Sequence, residues 1–364
     1  MCTDVLMKST IYISLFLLSI LIAGSGCTDR ASIDEFVALE NTYYRVGDTT
    51  YVELYPPYRS GFNAPTAVLY GNDQLLYVAD TRNNRVVMMD AAGGYLGACH
   101  IDQPISLAQD FRLDLLIGGT LMKNGNQVGA IFRLHLVQAL HNLDSVKIDT
   151  VWRESAYPNR RFVGLTTLPD NTYLAARTGP DNSSPIDPDT RVMEFSTSDH
   201  YMTPITDLTT GTGSGIIFIN QITGITSIPN THNFILLQRS VGVAYGAIYM
   251  KFSSSSDFEG WKPVYDPTDP KTASADIIRP NQFISPAGCA IDSKRLDIFI
   301  TDVVKDSVFK FNSKDGKFKK ESFGKYSTNQ RMQSPMGAAF FDKTLYIVDS
   351  TANCIFRFKL STDF

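Results

Sequence analysis

Short apolar runs of about five residues alternate along the chain with polar turn signals, the pattern of consecutive β-strands. The clearest copy spans 65–90: Pro65-Thr-Ala-Val-Leu, a Gly-Asn-Asp turn, Leu75-Leu-Tyr-Val-Ala-Asp80, a polar Thr-Arg-Asn-Asn and Arg85-Val-Val-Met-Met. Five further units open in the same way at Pro104, Phe162, Ile222, Pro286 and Pro335, so successive openings lie 39, 58, 60, 64 and 49 residues apart. The shorter intervals match the ~40–50 residue period of propeller blades, and the longer ones require insertions. The third residue of each opening is small: Ala67, Ser106, Gly164, Gly224, Gly288 and Gly337. Small residues there let inner strands converge on a narrow axis, where bulky side chains would collide.

The second run of each unit, starting at Leu75, Leu113, Thr172, Asn233, Leu296 and Thr344, is almost continuously apolar, as in strands buried on both faces. The third runs alternate more, and fourth, outer strands are predicted at 95–98, 146–152, 200–206, 261–264 and 317–323. The sixth unit has no fourth run before the chain ends, and the unassigned strand at 50–55 is predicted to supply it. The expectation is an all-β fold: a six-bladed β-propeller of four-stranded antiparallel blades, with the N-terminal strand joining the last blade to close the ring. The blades fall near 64–100, 104–153, 161–207, 221–265, 285–323 and 334–361. Residues 36–364 show no composition shift that would suggest a second domain. The insertions read as polar: a hairpin turn at 123–127, a short helical turn at 137–143, and loops at 178–190, 208–215 and 266–280.

The first residues do not belong to this pattern. Lys8 precedes an apolar run at 11–23 and then Gly24-Ser25-Gly26-Cys27, the layout of an export signal, with Met7 as an alternative start. The run is shorter than the ~20 residues a membrane-spanning helix needs. It resembles a bacterial lipoprotein signal, although Gly24 stands where that motif usually has an aliphatic residue. The resemblance implies a signal peptide at 1–27, lipid attachment at Cys27 and a short tether at 28–35. It implies a lipid-anchored protein on the periplasmic or cell-surface side of a bacterial membrane. Cys99, Cys289 and Cys354 then remain, too few and too scattered for a disulfide framework, and read as buried small side chains.

A net charge of −4 gives no field that would attract nucleic acid, and none is expected as a partner. A monomer is expected. Tyr77-Val-Ala-Asp80-Thr-Arg-Asn-Asn-Arg85 and Tyr346-Ile-Val-Asp349-Ser-Thr-Ala-Asn353 resemble the NHL repeat: an apolar strand, Asp, small polar residues, Asn and a strand. The 323–339 segment resembles the linker between such repeats. The match is good in blades one, five and six and weak in two to four, and blade five has Lys305-Asp306-Ser307 where Asn would stand. The chain as a whole resembles the six-bladed NHL-like propeller lipoproteins of Bacteroidetes, a group largely without assigned activity.

Ends of second strands gather near the central channel of a propeller. Asp80, Thr120, Arg177, Arg239, Asp302 and Asp349 stand at those positions and form the candidate ligand-binding set. The acids recur as part of the repeat, so each reads first as a brace for its own turn, as Asp does in Asx-turns. Arg177 and Arg239 break that pattern and are the better candidates. Asp181, Asp187 and Asp189 lack the spacing of a calcium loop, and the five histidines show no metal-binding spacing. No nucleophile elbow, phosphate loop or dinucleotide fingerprint is present, and Gly211-Thr-Gly-Ser-Gly215 reads as an inter-blade loop. The expected function is a binding or interaction scaffold at the cell envelope, with an envelope protein or a small ligand such as a carbohydrate as partner. The alternative is a calcium- or zinc-dependent hydrolase or lyase at the channel mouth. No cofactor is expected, calcium being the ion the architecture could admit.

Overall fold

The computed structural model describes residues 49–205, 207–210, 217–239, 245–256, 258–324 and 332–364. The expected signal peptide, Cys27, the tether and 211–215 lie outside the described residues. Among those described, no helix is long and apolar enough to cross a membrane.

Six four-stranded antiparallel sheets form the ring of a six-bladed β-propeller. Blade 1 comprises Ala67–Tyr70, Leu76–Asp80, Arg85–Met89 and Tyr95–His100. Blade 2 comprises Asp102–Gln109, Leu115–Lys123, Asn126–Leu134 and Ile148–Arg153. Blade 3 comprises Arg161–Thr167, Tyr173–Thr178, Arg191–Phe195 and Tyr201–Pro204. Blade 4 comprises Ile222–Ser227, Phe234–Gln238, Ala247–Ser254 and Glu259–Pro263. Blade 5 comprises Pro286–Asp292, Asp297–Asp302, Ser307–Asn312 and Phe318–Gly324. Blade 6 comprises Pro335–Phe341, Thr344–Asp349 and Cys354–Leu360, and its outer strand is Tyr51–Glu53. The ring thus closes with the N-terminal strand on the last blade, as the missing fourth run predicts.

Strand alternation explains the core. In the second strand of blade 1, Leu76 and Val78 pack against blade 6, while Tyr77 and Ala79 pack against blade 2. In blade 6, Leu345 and Ile347 face blade 5, and Tyr346 and Val348 face blade 1. Side chains two apart share a face, so a strand sandwiched between two blades must be apolar at every position. Every pair of neighbouring blades shares such a cluster.

Inner strands touch their neighbours around the axis. A Cβ at Gly288 would sit 2.5 Å from the Met336 carbonyl oxygen, and one at Gly224 would sit 2.7 Å from that of Ala287. Where the small residue carries a hydroxyl, the contact becomes a bond: Ser106 Oγ donates to the Phe162 carbonyl at 2.8 Å. From the second strand of blade 5, Thr301 Oγ1 likewise reaches the inner strand of blade 6, donating to the Met336 carbonyl at 3.0 Å.

Segment 137–143 holds one hydrogen-bonded turn, with Ala139 N–H on the His135 carbonyl and Leu140 N–H on that of Val137, and the left-handed Leu140 and His141, with φ of 50° and 59°, end it there. Two local expectations need correction. Part of the 208–215 loop is a strand, Leu208–Thr209, paired in parallel with Ile217–Phe218. The 266–280 insertion is not merely polar: Ala275, Ile277 and Ile278 are buried against blades 4 and 5. Cys99, Cys289 and Cys354 are buried, and burial pushes the Cys99 and Cys289 thiols up to about 12.

Candidate functional site

Loops between second and third strands open on one face, here the upper face, together with the links between blades. Asp302 and Asp349 end second strands there, and both are fully buried. Asp302 accepts hydrogen bonds from the backbone N–H groups of Ile284, Ser285, Val304 and Lys305 at 2.6 to 3.1 Å. Asp349 accepts from those of Gln333, Ser334, Thr351 and Ala352 at 2.7 to 3.0 Å. Each carboxylate therefore staples the incoming linker to its own hairpin. Asp80 does the same with the N–H of Asn63, the amide of Asn83 and the guanidinium of Arg85. These acids are saturated by construction and do not line the channel.

Pairing in blade 4 is shifted by one residue relative to blades 5 and 6. Pro286 pairs with Asp302 and Pro335 with Asp349, but Ile222 pairs with Gln238, not with Arg239. Gln238 is thus the counterpart of the repeat Asp. Its Oε1 accepts from Asn220 N–H at 2.8 Å and its Nε2 donates to the Tyr245 carbonyl at 2.8 Å, the same linker-to-hairpin staple in neutral form. Arg239 lies one residue further on, exposed at the channel wall, and its side chain makes no hydrogen bond or ion pair with another described residue.

Thr120 and Arg177 are also spent on the scaffold. Thr120 Oγ1 donates to the Asp102 carbonyl and accepts from Gln127. Arg177 is buried and binds Glu154 at 2.8 Å and Asp187 at 2.6 Å. Arg160 joins the same cluster through Asp187, Asp189 and Glu154, with its guanidinium 3.7 Å from the Tyr157 ring centre. Two buried cations neutralised by three carboxylates make a compact inter-blade lock. Burial opposes ionisation of Asp187, but the Arg177 and Arg160 bonds hold its carboxyl below the ordinary value. Two of the three loop acids weighed for calcium are committed to this lock, and Asp181 accepts from Ser183.

What opens at the axis is a cavity of about 640 Å³ on the upper face. Its walls are backbone and small side chains of the inner strands, with Val163, Val303 and Met336 as apolar contributors and Gln221, Thr223 and Ser285 as polar ones. Arg239 is, among the described residues, the charged one in that wall. Among the described residues, no three His, Cys, Asp or Glu side chains are placed to hold a metal ion. Thr223 flanks the small Gly224, and Gln221 and Ser285 immediately precede inner strands; none carries a motif of its own, so sequence reasoning misses them.

No protein-family model matches the sequence, and no curated protein matches it. Solved structures do. An auxiliary nutrient binding protein from Bacteroides thetaiotaomicron is 10% identical with a TM-score of 0.58, over 86% of this chain and 76% of that one. The PQQ-bound aldose sugar dehydrogenase from Streptomyces coelicolor is 11% identical with a TM-score of 0.55, over 86% and 99%. A gluconolactonase from Xanthomonas campestris is 12% identical with a TM-score of 0.53, over 86% and 90%. The likeness is one of fold. Enzymes and a binding protein share it, so the architecture does not choose between them.

Proposed function

We propose that the chain is an exported binding protein, anchored at the cell envelope through Cys27, whose upper cavity receives a small organic molecule carrying one acidic group. The observation that carries this reading is Arg239, an exposed guanidinium without a described partner, at a cavity whose repeat acids are all turned into the scaffold. A guanidinium pairs bidentately with a carboxylate, and the threonine, serine and glutamine of the wall complement a polar body. The anchor rests on the sequence of 8–27 alone. A PQQ-like tricarboxylate fits poorly with the described wall, in which Arg239 is the one cation among the described residues. The hydrolase or lyase alternative needs a convergent set of acids or histidines, and none is assembled among the described residues. A thermal-shift screen of the full chain against aliphatic, aromatic and sugar monocarboxylates tests the reading by mass action. A stabilising acid whose effect disappears in Arg239→Ala supports it. Absence of any stabiliser, or one that binds Arg239→Ala equally well, overturns it.

A further inference from the structure

The channel has a second cavity, of about 450 Å³, at its lower end, where first and second strands are joined by turns. Val68, Leu107, Leu165, Ile225, Cys289 and Ala338, one from each inner strand, belong to the walls of both cavities and mark the boundary between them. The lower cavity falls within the ~300–1,000 Å³ range of small-ligand sites.

Among the described residues, its wall contains no Asp, Glu, Lys, Arg or His. This neutrality is built, because charged residues of the same turns are directed elsewhere. Asp73 accepts from Tyr77 Oη at 2.6 Å and Gln109 Nε2 at 2.7 Å. Asp110 is held by Arg133 at 2.7 Å and Arg112 at 3.1 Å. What remains facing the cavity is amide, hydroxyl and aromatic surface. Tyr70, Ser227 and Asn230 make no side-chain hydrogen bond with another described residue, and Phe111 is 50% exposed. Tyr70 stacks on Phe341 with ring centres 3.9 Å apart, which widens the aromatic surface at the mouth.

The wall is also rigid. Gln109 Oε1 accepts from Asn72 N–H at 2.6 Å, tying blade 1 to blade 2. Asn171 Oδ1 accepts from Phe111 N–H at 2.8 Å and Thr166 Oγ1 from Ser227 N–H at 2.7 Å, tying blades 2 to 3 and 3 to 4. A pre-ordered wall loses little entropy when a ligand binds.

The chemistry of that wall selects its ligand. An ion would shed its hydration without meeting a countercharge. A hydrocarbon would strip water from the amides and hydroxyls without replacing their hydrogen bonds. A neutral polyol does neither: its hydroxyls pair with Asn230, Ser227 and Tyr70, and its C–H face lies against an aromatic ring. We propose that the lower cavity is a second binding site, for a neutral saccharide, and that it works independently of Arg239.

The test is calorimetric titration of the full chain with maltotriose, cellotriose and triacetylchitotriose. The expected result is binding of at least one of them, weakened about tenfold by Phe111→Ala through loss of the stacking face, and unchanged in Arg239→Ala. Asn230→Asp, which sets a carboxylate in the neutral wall at an exposed turn position, weakens the same titration and serves if Phe111→Ala does not fold. The proposal is overturned if none of the three binds, if binding survives both lower-cavity variants, or if Arg239→Ala abolishes it and so places the sugar in the upper cavity.

Discussion

Tyr51 lies opposite Leu360 in the antiparallel pair that completes blade 6, so the two ends of the described chain are joined in one sheet. The Tyr51 ring meets Phe299 edge-on at 5.6 Å and stacks with Phe323 at 5.4 Å, which carries the closure onto blade 5. Its hydroxyl is buried without a hydrogen-bond partner. Two substitutions should therefore part company. Tyr51→Ala opens a cavity at the seam and is expected to cost about 3–5 kcal/mol. Tyr51→Phe removes an unsatisfied polar group and is expected to be neutral or slightly stabilising. Urea unfolding monitored by fluorescence measures both; a large loss in Tyr51→Phe would show that the hydroxyl is satisfied after all.

The staple acids should matter to stability and not to binding. Asp349→Ala leaves four backbone N–H groups without their acceptor and is expected to destabilise by roughly 2–4 kcal/mol. Under conditions where the variant remains folded, its affinity for a carboxylate ligand should equal that of the parent protein. An unchanged unfolding midpoint would refute the role of the staple.

Arg239 should behave in the opposite way. Its side chain is exposed and unpaired among the described residues, so Arg239→Ala is expected to change the melting temperature little. Loss of a charge-assisted hydrogen bond should weaken a bound monocarboxylate by roughly 1.5–3 kcal/mol, about ten- to a hundredfold in Kd. Arg239→Lys should recover part of that loss, because a lysine supplies the charge without the bidentate fork. Titration calorimetry of the three proteins with the same acid decides.

Acid should weaken the fold through particular carboxylates. The Arg295 hydrogen bonds hold the Asp363 carboxyl below its ordinary value, and the arginines of the blade 3 lock do so for Asp187 against the opposing effect of burial. A carboxyl depressed in the folded state contributes its stability fully above the unfolded value of about 4 and loses it as pH falls through the folded value. Unfolding midpoints should thus decline as pH drops below about 4–5, and less steeply in Asp363→Asn than in the parent. Parallel pH profiles for the two proteins would remove Asp363 from the account.

Much of the architecture was legible from sequence because it rests on local periodicity. The recurrence of a small residue in each first strand and of a continuous apolar second strand fixes the number of blades, and a sixth blade one strand short calls for the strand at Tyr51–Glu53. The turn role of Asp80, Asp302 and Asp349 was readable for the same reason, since a residue repeated with the strand serves the strand. Tertiary structure alone decided the rest. Register in blade 4 is set by pairing across the sheet, and a one-residue shift moves Gln238 into the staple and Arg239 to the channel wall. Arg177 appeared to be a free cation until the fold brought Glu154 from blade 2 and Asp187 from its own loop against it. The neutrality of the lower cavity has the same origin: Asp73 and Asp110 stand at its turns in sequence, and only partners from other strands draw their charges out of its wall. Periodicity is a property of neighbours in the chain, whereas the destination of a charge depends on neighbours in space.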